Sequence, residues 1–561
     1  MPSRWPEPSR AGAPPWPALQ RLAWLAVAAL LLVPTLAGMP LVDDPFHHGE
    51  YFAATVGLAQ RALGAGDAAA VLPLTIHGAF DFLPAMLARA LSPADAWFAP
   101  TLVVYKLLRL AAAGLLVWMV ADLRRGKPHR LAWLLGAAAL APLTVDAKDV
   151  MLLLALRLQC WAGWRPAGRA RWPLQVLLGM VVAAGLYWSF DRGIAGAVSL
   201  GAGTLLLALR DPVRWLSLAT FGLCVGLLSV TTEVFSLQHH VANILLLAET
   251  AAQWTYRLDA DRLGLTAFAL GANLLAGLLL VGSAVQQGRA AERAPAWLAA
   301  GLLAAFMTKI GINRADIGHI YMSLWVPLLA AALQPPVGGR LARLLAAGAL
   351  LLLAGALGLA LRWHSYGMLL VAAALLLASG LPAGRATWPR HAAAALLALF
   401  AAGLVASTAK SGLQAWREGG YAWLAPAQHL PDNRASVGPG VRWAADELAG
   451  AGCVFDLSNS GVINGLTGLP GCSRFTYPVY ASAAHEAELI EAVRSRRPAA
   501  IVYATDAWHY AIDGRTMRAR FPALDDVLLD LYPTERCRDG YCVRLLAPGA
   551  APARPPSPPG P

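Results

Sequence analysis

Arg21-Leu-Ala-Trp-Leu-Ala-Val-Ala-Ala-Leu-Leu-Leu-Val-Pro-Thr-Leu36 is followed, after six intervening residues, by Asp43-Asp-Pro-Phe-His-His-Gly-Glu50. An apolar run that ends at a cluster of charge reads as a membrane span leaving the bilayer, since a span needs about 20 mostly apolar residues. The rest of the chain repeats that pattern. Candidate spans lie near 19–41, 99–121, 131–145, 150–164, 173–190, 194–209, 213–232, 265–285, 296–312, 318–334, 341–361, 366–381 and 391–408. The segments at 131–145, 150–164 and 194–209 are short enough to be tilted, merged or re-entrant. The expected fold is therefore a polytopic α-helical membrane protein of about 11–15 spans. Composition agrees: 57% of the 561 residues are hydrophobic, 14% are charged, and the mean hydropathy is +0.52. Soluble domains carry about 25% charge, so an ordinary soluble enzyme and a disordered chain are both excluded.

Charge placement sets the expected orientation. Lys and Arg total 45 against 33 Asp and Glu, a net charge of +12. The excess falls in short loops, which is the positive-inside pattern and not a nucleic-acid-binding face. Arg4, Arg10 and Arg21 precede the first span; Arg124, Arg125, Lys127 and Arg130 follow the second. Further clusters at Arg165–Arg171, Arg210–Arg214, Arg289–Arg293, Arg340–Arg343 and Arg385–Arg390 fall on every second loop. This reading places the N-terminus in the cytoplasm, the first long loop (42–98) outside, and the protein in the inner, cytoplasmic membrane. Residues 1–40 resemble a signal peptide in outline, but the long apolar stretch and the alternation of charge favour a retained span.

From 409 the apolar runs shorten and charge rises. Residues 1–408 form the multi-span region, 409–547 read as an extracytoplasmic α/β domain, and 548–561 as a Pro/Ala-rich disordered tail. Cys453-Val-Phe-Asp-Leu and Pro498-Ala-Ala-Ile-Val-Tyr-Ala read as strands, Ala484–Arg497 and Thr516–Tyr532 as helical, and a hairpin ends the domain. Four of six cysteines lie here: Cys453, Cys472, Cys537 and Cys542. In Cys537-Arg-Asp-Gly-Tyr-Cys542 a two-residue Asp-Gly turn makes the cysteines a non-hydrogen-bonded pair with Cα atoms about 4.5 Å apart. That suits a disulfide in an oxidising compartment; half a zinc site is the alternative, although no His sits beside it. Cys453–Cys472 is the second expected pair.

The first loop holds the densest chemistry. Asp43, Asp44, Glu50, His47 and His48 lie within eight residues. Such a set suits a general base, or a divalent cation held by Asp44, His48 and Glu50. A solvated acidic loop is the plainer reading. The same loop carries Gly64-Ala-Gly-Asp67, Ile76-His-Gly-Ala-Phe-Asp81, and an amphipathic stretch to Leu91 that reads as a helix lying on the membrane surface.

A first span, an acidic pair, a long external loop with surface helices, many further spans and an external α/β domain together resemble the GT-C superfamily of glycosyltransferases. Its members use polyprenyl-phosphate-linked sugars and include protein mannosyltransferases and the aminoarabinose transferases of lipid A. The likeness rests on Asp43-Asp44 at the family's acidic motif, and on His48-Gly-Glu50 and His77-Gly78. It implies an enzyme moving a sugar from a polyprenyl-phosphate-type donor to an extracytoplasmic lipid, glycan or protein acceptor. Asp43 or Asp44 would be the base and Glu50 a supporting carboxylate. The leaving phosphate needs cations, for which Lys106, Arg109, Arg192, Arg257, Arg262, Lys309, Arg314 and His319 are candidates. Lys106 and Arg109 can instead snorkel to headgroups, and Arg314, Asp316 and His319 can be an ion pair at a helix end. Arg157, midway along a short span, calls for a carboxylate partner. Asp146 and Asp149 flank Lys148 in either a plain charged turn or a second acidic site, and His239-His240 lies in a later loop.

Two other readings compete. A lipid-linked polysaccharide polymerase or ligase carries its large loop centrally, not a domain at the end. A transporter or flippase is expected to show inverted repeats and mid-membrane charges, and no repeat is found.

Overall fold

The computed structural model describes residues 17–63, 72–125, 130–164, 172–209, 211–254, 260–287, 294–314, 319–320, 322–333, 405–425, 430–505 and 515–549, with isolated positions 348, 352 and 403. Helices occupy the positions of the first ten expected spans. They are α1 (Pro17–Leu36), α4 (Phe98–Leu123), α5 (Arg130–Thr144), α6 (Val150–Trp164), α7 (Trp172–Trp188), α8 (Phe190–Ala208), α9 (Trp215–Thr231), α11 (Ala260–Gln287), α12 (Ala294–Arg314) and α13 (Trp325–Leu333). Four stretches among the described residues are long and apolar enough to cross a membrane: Phe98–Leu123, Pro212–Thr231, Thr266–Val285 and Ala294–Gly311. Arg21–Leu36, Trp133–Thr144 and Trp172–Trp188 are apolar but shorter. The 15 residues of α5 or α6 rise only about 22 Å, short of a hydrocarbon layer of about 30 Å. Between them Asp146 accepts the N–H of Ala147, and Asp149 accepts the N–H of Asp146, closing a tight capped turn. The spans expected near 341–361, 366–381 and 391–408 fall almost wholly outside the described residues.

Spans successive in the chain alternate in direction, which sorts their ends: Arg109 early in α4 reaches the carbonyl of Pro142 late in α5. Arg124, Arg125, Arg130 and Arg214 collect at one end of the bundle; Asp43, Asp44, Asp146, Asp149 and Asp191 collect at the other. Small residues are frequent among the larger apolar side chains inside: Ala112, Ala113, Ala137, Ala138, Ala299 and Ala300 are buried. Such side chains let backbones approach closely. The partner that Arg157 needs is Asp122 of α4. The guanidinium also lies 4.7 Å from the ring centroid of Trp118 and 5.3 Å from that of Trp161.

Two helices of the first loop are not spans: α2 (Pro45–Leu63) and α3 (Leu83–Leu91). Pro45 stands at the first position of α2, where its missing N–H costs nothing. Asp44 caps the helix, its Oδ1 accepting the N–H of His47 at 3.1 Å. A further helix, α10 (Leu237–Trp254), follows α9.

The C-terminal region holds a four-stranded sheet of β1 (Phe455–Asp456), β2 (Ala500–Ala504), β3 (Thr534–Arg538) and β4 (Tyr541–Leu545), in the order β1-β2-β4-β3. Only β1 and β2 are parallel. Period-two alternation divides β2 between two cores. Ile501 and Tyr503 face the helices Glu486–Arg496 and Pro522–Leu531, while Ala500, Val502 and Ala504 share the opposite core with the helices Pro439–Glu447 and Val462–Thr467. On that second face Val502 and Val543 share one core with Phe52 of α2 and with Phe98 and Leu102 of α4. The sheet reaches the first loop through the short helix Val462–Thr467, whose Gly465 lies against Phe52 and Phe98. Asn433 adds a long-range cap: its Oδ1 accepts the N–H groups of Trp97 and Phe98 at 2.9 and 3.0 Å, where α4 begins.

The β3–β4 hairpin turns at Asp539 and Gly540, with φ of 49° and 81°. Two positive φ values in succession make the tight turn expected of Asp-Gly. Cys537 lies opposite Cys542 with Cα atoms 4.0 Å apart; Cys453 and Cys472 are 5.1 Å apart. Both pairs are at bonding distance, leaving Cys160 and Cys224 as thiols. Maleimide applied to the denatured, non-reduced protein is expected to label Cys160 and Cys224 alone. Labelling of the other four before reduction would show the hairpin or the compartment to be misassigned.

Candidate functional site

The acidic segment Asp43–Glu50 sits where the end of α1, the start of α2, the turn between α5 and α6, the junction of α7 with α8, and the sheet region meet. The sequence cluster divides into two layers. Asp43 is outermost, its side chain 84% exposed and 3.6 Å from Nδ1 of His48. Asp44 is half-buried; its Oδ2 lies 2.6 Å from Nδ1 of His47. Burial alone would raise the Asp44 pKa, but the hydrogen bonds and charge of His47 outweigh it and hold the group down at about 2. Asp44 is therefore committed to His47 and to capping α2. Burial lowers the pKa of His48 despite the two aspartates beside it.

Glu50, one helical turn further in, is 3% exposed. Its Oε2 lies 3.4 Å from Nδ1 of His77, and its Oε1 lies 3.5 Å from the hydroxyl of Tyr480. Asp81 approaches the same His77 nitrogen at 2.9 Å with Oδ1, while its Oδ2 accepts the N–H groups of Ile76 and His77, both at 2.8 Å. Burial drives the pKa of Glu50 upward. Glu50, His77 and Asp81 offer three ligand atoms within 4.8 Å of one another. Two carboxylates and one imidazole converging on a point suit a divalent cation such as manganese or zinc. Of the expected metal set, Glu50 belongs to this group, whereas Asp44 and His48 point elsewhere.

Aromatic rings floor the layer. Tyr51 stacks on Tyr105 with centroids 3.7 Å apart, and the Tyr105 hydroxyl donates to the Phe80 carbonyl at 2.5 Å. Lys148 stands over the Phe80 ring at 5.5 Å and 4.0 Å from Asp146. Below it a narrow apolar cleft runs between α6, α7 and α8, about 260 Å³ when the open space at its mouth is counted. Leu152, Ala155, Val181 and Leu200 line its depth; Lys148, Trp188 and Arg192 line its mouth.

The expected phosphate-binding cations fare differently from one another. Lys106 donates to the carbonyls of Ala37 and Gly38 at 2.7 and 2.9 Å. Arg109 donates to the carbonyl of Pro142 at 2.6 Å. Arg192 is buried and paired with Asp149 at 3.1 Å and with Asp191. His319 is half-buried, and the side chain of Arg314 lies outside the described residues, as do Arg257 and Asp316. Lys309 is on α12, exposed. His239 and His240 do not act together: the Asn243 amide lies 3.1 Å from His239 Nε2, while His240 packs edge-on to Phe190 at 4.6 Å.

Sequence reasoning missed Asp81, Lys148 as a cavity-mouth cation, and Tyr477 and Tyr480. The i, i+4 spacing of His77 and Asp81 was a visible signal. The tyrosines had none, because they reach the site from more than 400 residues away. Tyr477 donates its hydroxyl to the carbonyl of Phe46 at 2.7 Å. Compared with known proteins, the chain matches no family model, no curated protein and no solved structure.

Proposed function

We propose that the chain is an integral-membrane glycosyltransferase that moves a sugar from a polyprenyl-phosphate-type donor to an extracytoplasmic acceptor in the cell envelope. One observation carries the reading: an apolar cavity within the bundle opens, past Lys148 and Arg192, beneath a layer of carboxylates. A lipid phosphate needs those three things in that order, namely an apolar slot for the chain, a cation for the phosphate and a base above the sugar.

In this mechanism the acceptor hydroxyl gives its proton to Asp43. Its oxygen attacks the anomeric carbon, and the carbon–oxygen bond to the phosphate breaks. The phosphate leaves with the bonding electrons, so the anomeric centre inverts. Asp43 suits the role because Asp44 is already held by His47. Lys148 meets the developing phosphate charge: Lys106 and Arg109 are spent on carbonyls and Arg192 on two aspartates. A divalent cation held by Glu50, His77 and Asp81 would supply further positive charge beside the mouth. The N-terminus is cytoplasmic in this reading and the sheet region lies on the far side of the inner membrane, as the alternating Lys/Arg loops require.

Two measurements test the proposal. Nanodisc-embedded protein supplied with polyprenyl-phosphate-linked sugars is expected to release polyprenyl phosphate, and cells lacking the protein are expected to lose one envelope glycoform by mass spectrometry. Failure to see either result rejects it. A reporter fused after Gly420 should read as extracytoplasmic. Lys148→Met keeps the stem and removes the charge; turnover is expected to fall by about 10²-fold, the scale for a lost charge-stabilising donor. Unchanged turnover would remove Lys148 from the mechanism.

A further inference from the structure

Helix α10 (Leu237–Trp254) is not among the helices apolar enough to cross a membrane, and its two sides differ. His240, Asn243, Leu246 and Thr250 are buried and recur every three or four residues, so they share one side. That side has partners. His240 packs edge-on to Phe190 and Tyr187, with ring centroids 4.6 and 5.0 Å away. Leu246 belongs to the core of the sheet region, with Phe475, Tyr477 and Tyr480. On the opposite side Leu237, Val241 and Leu245 stand four residues apart and exposed, Leu245 at 63%. Helical spacing makes them one apolar stripe, which Ala248 continues. A contiguous exposed apolar stripe marks an interaction surface, whereas scattered exposed residues do not.

The position of α10 identifies what covers it. The N–H of Leu237 donates to Ser229 Oγ at 3.1 Å, which fixes the start of α10 against the last turn of α9. α9 is long and apolar enough to cross a membrane, and Leu216, Leu223, Leu227 and Val230 on it are exposed. Those side chains are the lipid-facing side of a span. Val230 is next in sequence to Ser229 and 81% exposed, so the apolar surface runs from the outer end of the span to the stripe on α10. In the turn between the two helices, Phe235 meets Phe82 with centroids 6.0 Å apart, where α3 begins. α3 carries a stripe of the same kind, Leu83, Leu87 and Leu91, also exposed. Charge narrows the partner further. Leu237–Trp254 contains no Lys or Arg, so α10 lacks the cationic flank that draws a helix to anionic headgroups.

We infer that α10 is an interfacial helix whose Leu237, Val241 and Leu245 stripe is seated among the acyl chains of the outer leaflet. Apolar burial drives the contact, so lipid charge does not matter to it. The other side of α10 packs on the turn Pro478–Tyr480 and gives Leu246 to the sheet core. The leaflet therefore holds the sheet region, and with it Tyr480 over Glu50, through a single helix. The inference rests on α9 as a span and is independent of the glycosyl-transfer reading.

The test places an environment-sensitive NBD fluorophore on one introduced cysteine at a time, in full-length protein at one copy per nanodisc. Cys224→Ala removes the half-buried thiol, and Cys160 is buried. Val241→Cys and Leu245→Cys sample the stripe; Gln238→Cys and Glu249→Cys sample the polar flank. All four positions are exposed, so the label leaves the fold intact. Phospholipids brominated on the acyl chains quench a fluorophore that touches them. Fluorescence from the Val241 and Leu245 positions is expected to be lost in brominated lipid, equally in zwitterionic and anionic discs, with a smaller loss from Gln238 and Glu249. No loss at Val241 and Leu245 means that water, or protein, covers the stripe and overturns the proposal. A loss confined to anionic discs, or one equal at all four positions, overturns it as well.

Discussion

Replacing Asp43 by Asn is expected to lower glycosyl transfer by at least about 10²-fold, the lower bound for a lost general base. The change preserves shape, and the side chain is 84% exposed, so folding and insertion should be unaffected. Asp44→Asn should behave differently. Asn is as good a helix cap as Asp, so α2 should still begin at Pro45, but the pairing with His47 at 2.6 Å loses its charge. A smaller loss of turnover is expected, together with a change in acid stability. Because the folded-state pKa of Asp44 is depressed to about 2, its contribution is present above the ordinary carboxylate range near 3.8 and is lost as pH falls toward 2. The Asn variant should lack that acid-dependent step in a thermal-unfolding series. Near-normal transfer by the Asp43→Asn, Asp44→Asn double variant would falsify the mechanism and leave the segment a solvated connector.

The second large effect is expected at Gly49. A Cβ built there would lie 1.6 Å from the carbonyl oxygen of Ser460 and 2.6 Å from the Tyr477 hydroxyl. Neither can move cheaply. Ser460 belongs to a loop pinned by Asp456, whose carboxylate accepts the N–H groups of Ser458, Ser460 and Gly461 at 2.7, 3.0 and 3.3 Å. Tyr477 is held by the carbonyl of Phe46. Gly49→Ala should therefore push the sheet region off α2, at or beyond the upper end of the usual overpacking cost of about 1–3 kcal/mol. The expected result is a lower unfolding temperature, faster proteolysis between 405 and 436, and loss of transfer even with Asp43 intact. Ala at Gly222, where nothing lies within 4 Å, is the matched control. A Gly49→Ala protein as stable as the parent would show that the first loop and the sheet region do not depend on this contact.

Helix positions, the sheet strands and the Cys537–Cys542 hairpin were legible in the sequence because each follows from a short-range rule. Apolar runs select helix, β2 alternates inside a buried stretch, and Asp539-Gly540 admits the two positive φ values of the turn. The same rules placed Asp43, Asp44 and Glu50 in one cluster, since all three lie within eight residues. They could not divide that cluster. Whether a carboxylate is buried depends on what packs over it, and over Glu50 that is His77, Asp81 and Tyr480, the last 430 residues distant. Arg192 illustrates the same limit. Composition presents it as a cation available to phosphate, but the turn between α5 and α6 brings Asp149 to 3.1 Å and neutralises it. Lys148, which reads as part of a charged turn, gains its place at the cavity mouth only because α7 and α8 close the other walls. Local sequence thus determined which groups are ionisable and which segments are helical. Tertiary packing decided which of those groups are buried or already paired, because desolvation and ion pairing depend on neighbours brought together from across the whole chain.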